Sequence, residues 1–518
     1  MDSEQVTGSK LGITAVVMSA ALMAMIDITI VNVALNDIRA SFGTPIDQIG
    51  WVSTGYMMAN IVIIPMTGWL QRRFGYRRYF AGSVALFTLA SALCGLAWNL
   101  PSLVVFRAIQ GLGGGAIIPT AQGILFARYP REEHGMAAAM FGLGAITGPL
   151  LGPSIGGYLI DLLGWHWIFM VNVPIGITVA LLTFRFVRQP HFQPPRDRAA
   201  QVDVFGIALL AVGMASLQYV LEEGNREGWF DSTLVIVLSA VAATALISFL
   251  VHELETEHPV VDLRVFKNRS YSAGTGLNFL TGFALFSGSY MFSLFAGSVM
   301  HYSALEIGKV FLIAGTVSVF MMPLMGRLAP LLDTRLLLAT GIVIVAFSQY
   351  VASHLTQAAG FWDLVRPNMI RSFGLAFIFI PVSVSALSEI APSQRGNATG
   401  LFNLTRELGG SLGTALMGMQ VSNDITRFGS YLSENITPYS AQVQEQLRQS
   451  AYGIGAQTYQ RELVGETLLK LKVTVQSMVL SFENGFRLTA FAMALGLALV
   501  LMLKRQPKTG APAPIDAH

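Results

Sequence analysis

Apolar runs of about twenty residues recur along this chain, separated by short charged loops, and they leave it few ways to fold. Only 12% of its 518 residues are charged and 53% are hydrophobic, where soluble domains carry roughly 25% charge. A bilayer forces every backbone polar group to be satisfied internally, so spanning segments are helices or closed barrels. A barrel would show alternating ten-residue strands, and the sequence shows none. The expectation is an all-α integral membrane protein. Six spans centre near residues 24, 59, 88, 114, 148 and 177, two near 212 and 241, and six near 284, 316, 345, 375, 408 and 490, giving 14 transmembrane helices.

Lys and Arg in the loops set the orientation. With residues 1–10 placed inside, the larger part of the 33 basic residues falls on one side, in segments such as QRRFGYRR (71–78), RYPR (128–131) and KRQPK (504–508). The short loops on the other side hold only Arg39 and Arg226. Both termini are therefore expected on the cytoplasmic side. The first run is too long for a signal-peptide core and carries Asp27, so no cleavable leader is expected.

Several classes fall away. The net charge of +3 comes without a basic tract long enough for a nucleic-acid face. A single cysteine, Cys94, excludes an internal disulfide and a Cys-rich metal site. No G-x-x-x-x-G-K-[ST] loop for ATP is present, and no cofactor is expected.

The chain also repeats itself weakly. Ile49-Gly50, Pro65, Gly68 and Leu70 return roughly 260 residues later as Ile307-Gly308, Pro323, Gly326 and Leu328. Phe141, Leu143, Gly148 and Gly152 return as Phe402, Leu404, Gly409 and Gly413, and Arg107 as Arg371. The plan is a six-helix bundle over 1–200, two inserted spans over 201–255, and a second six-helix bundle over 256–518 that includes an outer segment at about 421–477. Paired parallel halves suit a transporter that rocks about a central site. In the outer segment, AQVQEQLRQSAYG and YQRELVGETLLKLKVTVQSM read as two amphipathic helices.

Five motifs carry a resemblance that covers nearly the whole chain. MIDITIVNVAL (25–35), GWLQRRFGYRR (68–78), FRAIQGLGGGA (106–116), GPLLGPSIGG (148–157) and WHWIFMVNVPIG (165–176) resemble signatures of the major facilitator superfamily. Within it, the chain resembles the fourteen-span drug:proton antiporters, EmrB-type multidrug exporters above all; fatty-acid exporters look similar. The resemblance implies the major facilitator fold. It also implies export of a small hydrophobic or amphiphilic substrate against protons, from the bacterial inner membrane, with a periplasmic adaptor and an outer-membrane channel as partners. One departure is that the signature's usual acid after G-x-L-x is Arg72 here, which removes the anchor of an inner-gate salt bridge.

Asp27 is the only acid in its apolar run. A charge at mid-membrane costs at least about 2.5–3.5 kcal/mol and persists only with a partner or water. It reads either as a structural ion pair or as a proton carrier, because a site whose hydration alternates changes its proton affinity. Arg107, in the fourth span, keeps its charge and is the natural partner, with a purely structural role as the alternative. Glu407 is the second-choice proton site. Its neighbour Arg406 is expected to point about 100° away and not to pair with it.

Gly144, Gly148, Gly152 and Gly156 recur every four residues and read as a smooth face for close helix approach. Pro149 and Pro153 should bend that span. Gly148, Pro149, Gly152, Pro153, Gly156 and Gly157 lie in the stretch that resembles the antiporter motif, read as a sealed joint that alternates between packings; plain packing is the alternative. Gly68, Arg72, Arg73, Gly75 and Arg77 form the inner-gate loop, whose basic residues are in any case topogenic. Met18, Met25, Met57 and Met58 could line a cavity for varied apolar cargo. A proton-coupled importer and a membrane-embedded sensor or enzyme are the rival functions. The double-proline motif weighs against the first, and the isolation of the charges weighs against the second.

Overall fold

The computed structural model describes residues 10–45, 48–187, 203–257, 259–329, 331–391, 393–434, 445 and 461–503. Fourteen long helices account for nearly all of them. They are α1 Lys10–Phe42, α2 Trp51–Phe74, α3 Tyr76–Gly95, α4 Leu100–Arg128, α5 His134–Leu163, α6 Asn172–Phe186 after a single turn at Trp167–Met170, α7 Val204–Glu223 and α8 Thr233–Glu255. There follow α9 Arg269–Ser298, α10 Ala304–Leu328, α11 Thr334–Ala352, α12 Phe361–Leu387, α13 Arg395–Glu434 and α14 Arg461–Met502.

Among the described residues, eleven helices are long and apolar enough to cross a membrane. The apolar stretch described within α5, Leu151–Leu163, is shorter than a span. Two other helices fall short because they carry polar residues that are turned inward: Thr54, Asn60 and Gln71 in α2, and Asn397, Thr399, Asn403 and Arg406 in α13, are all buried.

Helix ends follow ordinary capping chemistry. Asn99 accepts from Ser102 N at the start of α4, and Ser303 with Glu306 forms a capping box on α10. Asp333 caps α11 through Arg335 N.

The pairing of helices repeats after eight helices. The α1–α5 pair has its counterpart in α9–α13, α2–α4 in α10–α12, α3–α4 in α11–α12, and α3–α6 in α11–α14. The cross pairs obey the same exchange: α5 packs on α10 and α2 on α13. Glycine makes both equivalent joints. Gly148 and Gly156 in α5 receive Met25 and Ile30 of α1, and Gly409 and Gly413 in α13 receive the backbone of α9 at Phe279 and Phe283. The inserted pair α7–α8 lies against α2, through Trp51 and Tyr219 with ring centroids 5.4 Å apart. It also reaches α13, where Gln218 Nε2 donates to Ser411 Oγ at 3.1 Å.

In the segment near 421–477, the described part of the second stretch is helical, as expected, and it continues into the last span, since α14 runs unbroken from Arg461 through Met502. Val475, Val479, Phe482 and Phe486 are buried on the α9–α13 side, and Asn484 Nδ2 donates to Asp424 Oδ2 at 2.6 Å. The first stretch, AQVQEQLRQSAYG, lies outside the described residues except Glu445. With 40 and 42 residues, α13 and α14 each reach about 60 Å at 1.5 Å per residue. That is about twice the ~30 Å hydrocarbon thickness.

Candidate functional site: a buried ion pair beside a glycine joint

Asp27 and Arg107 meet at the centre of the first six helices. Arg107 Nη1 lies 2.6 Å from Asp27 Oδ2, and the two side chains are 1% and 0% exposed. The second carboxylate oxygen, Oδ1, accepts from Gln110 Nε2 at 3.0 Å and from Asn172 Nδ2 at 2.8 Å. The guanidinium donates through Nε to Val52 O at 3.2 Å and through Nη1 to Gln110 Oε1 at 2.8 Å. It also stacks 4.1 Å from the Tyr56 ring centroid. Asn172 donates onward to Ser91 Oγ at 3.1 Å. Helices α1, α2, α3, α4 and α6 thus all contribute to one closed network. A charge taken out of water is tolerable when its lone pairs and protons are used in this way.

The sequence pointed to the two charges but not to Gln110, Asn172, Ser91 or Tyr56. The signal available was weak: an amide inside an otherwise apolar motif.

Helix α5 holds the helix that carries the acid. A Cβ on Gly144 would come 2.7 Å from Met18 Cε, on Gly148 2.6 Å from Met25 Cβ, and on Gly156 2.8 Å from Ile30 Cγ1. On Gly152 it would press on Thr29 and stand 3.0 Å from Ile30 N. The joint therefore brackets Asp27 from residue 18 to residue 30. Gly157 does not belong to it, with nothing within 4 Å of its Cβ position. Pro153 is half-buried, the side chain of Pro149 lies outside the described ones, and the helix continues through both positions. Met18 and Met25 pack into this joint.

Glu407 lies in α13, 18% exposed. The expectation that it ignores Arg406 is corrected: Arg406 Nη2 approaches Glu407 Oε1 at 3.7 Å. The reason is reach, since two long side chains in a buried site curl together across their divergent Cβ directions. Arg406 Nη2 is closer to Asn403 Oδ1, at 3.0 Å.

The expected gate loop is mostly helix. Gly68, Arg72 and Arg73 lie in α2 and Arg77 in α3; only Gly75, at φ +82°, turns the chain between them. Arg73 lies over Trp69 and Arg77 over Phe184. Contacts from the first six helices to the last six at this basic end include Gly68 of that segment. A Cβ on Gly68 would stand 2.5 Å from the Cα and N of Asn397, so backbone meets backbone there. Asn403 Nδ2 donates to Gln122 Oε1 at 2.6 Å, Arg395 Nη1 to Phe126 O at 3.3 Å, and His134 Nδ1 pairs with Ser388 Oγ at 3.1 Å. The basic end is closed by this seam.

A helical membrane bundle with a fully buried, hydrogen-bonded ion pair and a polar seam across its two halves has the build of a transporter. The Major Facilitator Superfamily matches residues 17–414. The multidrug export protein EmrB of Haemophilus influenzae is 32% identical over 505 residues, 96% of each chain. That of Escherichia coli K12 is 32% identical over 506 residues, 97% of each chain. The fatty acid resistance protein FarB of Neisseria gonorrhoeae is 33% identical over 427 residues, 82% of this chain and 83% of the relative. The solved proton:xylose symporter XylE has a TM-score of 0.58 at 15% identity over 95% of both chains. The human organic anion transporter MFSD10 has the same TM-score at 13% identity, over 93% of this chain and 99% of that one. These two likenesses concern the fold alone. The chain belongs to the major facilitator superfamily and, within it, to the EmrB-type multidrug export proteins. It is a multi-pass membrane protein.

Proposed function

We propose that this protein exports hydrophobic or amphiphilic compounds in exchange for protons, with Asp27 as the proton carrier, Arg107 as its switchable partner and Glu407 as a second titrating group. The observation that carries this reading is the buried Asp27–Arg107 pair, whose acid sits on the helix that Gly144, Gly148, Gly152 and Gly156 hold by close contact. The relatives named multidrug export and fatty acid resistance proteins support the cargo class. Taking the basic end as cytoplasmic, both termini lie in the cytoplasm, the membrane is the bacterial inner membrane, and the seam closes the inward side.

The halves 1–200 and 256–518 rock about the central site, with 201–255 filling their flank. The seam at the basic end holds a few hydrogen bonds, each worth about 0.5–1.5 kcal/mol net. One charge moving through about 150 mV supplies roughly 3.5 kcal/mol. The two are of one size, so protonation can tip the equilibrium between facing inward and facing outward. The α5 joint, from Gly148 and Pro149 through Gly152 and Pro153 to Gly156, keeps α1 sealed while it shifts. Gly68 and the arginines 72, 73 and 77, about the Gly75 turn, form the inner gate. The length of α13 and α14 supports a periplasmic adaptor contact, with an outer-membrane channel beyond it. The experiment is cargo flux in proteoliposomes under an imposed pH gradient, comparing wild type with Asp27→Asn: export should follow the gradient in the first and be indifferent to it in the second.

A further inference from the structure

The repeat carries the cation of the ion pair into the second half without the acid. Arg371 of α12 is 4% exposed and is the sequence counterpart of Arg107. Its Nη2 donates to Ser289 Oγ of α9 at 3.2 Å, and its guanidinium lies 5.6 Å from the Phe292 ring and 5.9 Å from that of Phe311. Its Nε and Nη1 have no hydrogen-bond partner among the described residues, and no carboxylate among them pairs with it. Beside it, Gln349 of α11, 0% exposed, has both amide atoms without a partner, and one turn before it Asn368 Oδ1 is also without one.

The geometry is directed. The place a Cβ would take on Gly288 is 2.5 Å from Arg371 Nη1 and 2.7 Å from Gln349 Nε2. Two N–H groups therefore lie together against the bare backbone of α9. A buried cation left without a counter-charge costs several kcal/mol, and native interiors rarely leave such donors unused. A guanidinium fork flanked by amides and phenyl rings matches a carboxylate attached to an apolar body.

The geometry points to Arg371, Ser289 and Gln349 as the seat for the carboxylate of an amphiphilic ligand, whose apolar part lies toward Phe292 and Phe311. This deepens the proposed cargo reading and rests on it. The ligand completes in the second half the ion pair that Asp27 completes in the first. Anionic amphiphiles are then bound in preference to neutral ones of equal length.

The test is equilibrium binding to the full chain in lipid nanodiscs, with no gradient, using octanoate and 1-octanol as probes. Because no proton gradient is involved, failure here is separable from failure of proton coupling. Wild type should bind octanoate at least about tenfold more tightly than octanol. Arg371→Gln should abolish that preference and Arg371→Lys should retain part of it. Ser289→Asp, which tethers a carboxylate beside the guanidinium, should also abolish it, and this variant keeps the test alive if Arg371→Gln does not fold. A wild type without the preference, or a preference that survives in Arg371→Gln and Ser289→Asp, overturns the proposal. So does a sodium chloride titration against gluconate in which chloride alone gives the Arg371-dependent response and octanoate adds none, since the seat would then belong to a free halide.

Discussion

Asp27 Oδ2 and Arg107 Nη1 stand 2.6 Å apart with both side chains out of contact with solvent, and Gln110 and Asn172 use the other carboxylate oxygen. An acid so fully engaged gives up its partners only if the helices around it move. This ties its chemistry to the position of α1.

The first prediction separates structure from coupling. Asp27→Asn leaves Arg107 as an unpaired buried charge, and breaking such a pair costs about 3–5 kcal/mol. Thermal unfolding in detergent should show a clear loss. The double variant Asp27→Asn with Arg107→Gln removes both charges and should recover most of that stability. Neither should drive cargo against its gradient. Recovery of driven transport in the double variant would assign the pair to architecture alone.

The α5 joint predicts a contrast between two glycines five positions apart. Gly152→Leu must push against the backbone of Ile30, and overpacking of this kind costs about 1–3 kcal/mol. Gly157→Ala meets nothing within 4 Å. Efflux in resistance assays should fall sharply for the first and stay at wild-type level for the second, at matched expression.

At the basic end, Gly68→Val would drive a side chain into the Asn397 backbone and should prevent closure of the seam. Cysteines placed at Gln122 and Asn403, in a chain freed of Cys94, should crosslink readily in the wild-type background and at least about tenfold less in Gly68→Val. Undiminished crosslinking would show that the seam tolerates the side chain.

Asn172→Leu removes one of the donors to Asp27 Oδ1 while leaving the ion pair in place. A hydrogen bond to a charged group is worth about 1.5–3 kcal/mol. The variant should therefore fold, yet its efflux should show a shifted dependence on pH. An unchanged pH profile would take Asn172 out of the proton site.

Much of this arrangement is legible in the chain because the membrane makes charge rare. Asp27 and Arg107 stand out as single charges in apolar runs, and the glycines of α5 stand out by their spacing of four. The repeat is visible in Pro65 and Pro323 and in Gly148 and Gly409, and the pairing of helices follows it. What stays hidden is what amides do. Gln122, Asn397 and Asn403 look like ordinary polar residues in sequence, and only the three-dimensional crossing of α2, α4 and α13 turns them into a seam. The length of the last helix is also hidden: the stretch before Val475 reads as an amphipathic helix, and burial of Val475, Val479 and Phe482 joins it to the last span.

The most direct measurement is proton-driven flux in proteoliposomes of known orientation, with an acid interior on the periplasmic side of the carrier and voltage clamped by valinomycin and potassium. The account predicts that cargo moves toward the acid side in wild type and that collapsing the pH gradient or replacing Asp27 by Asn stops net accumulation. Accumulation that proceeds at the same rate without the gradient, or in the Asp27→Asn protein, would contradict it.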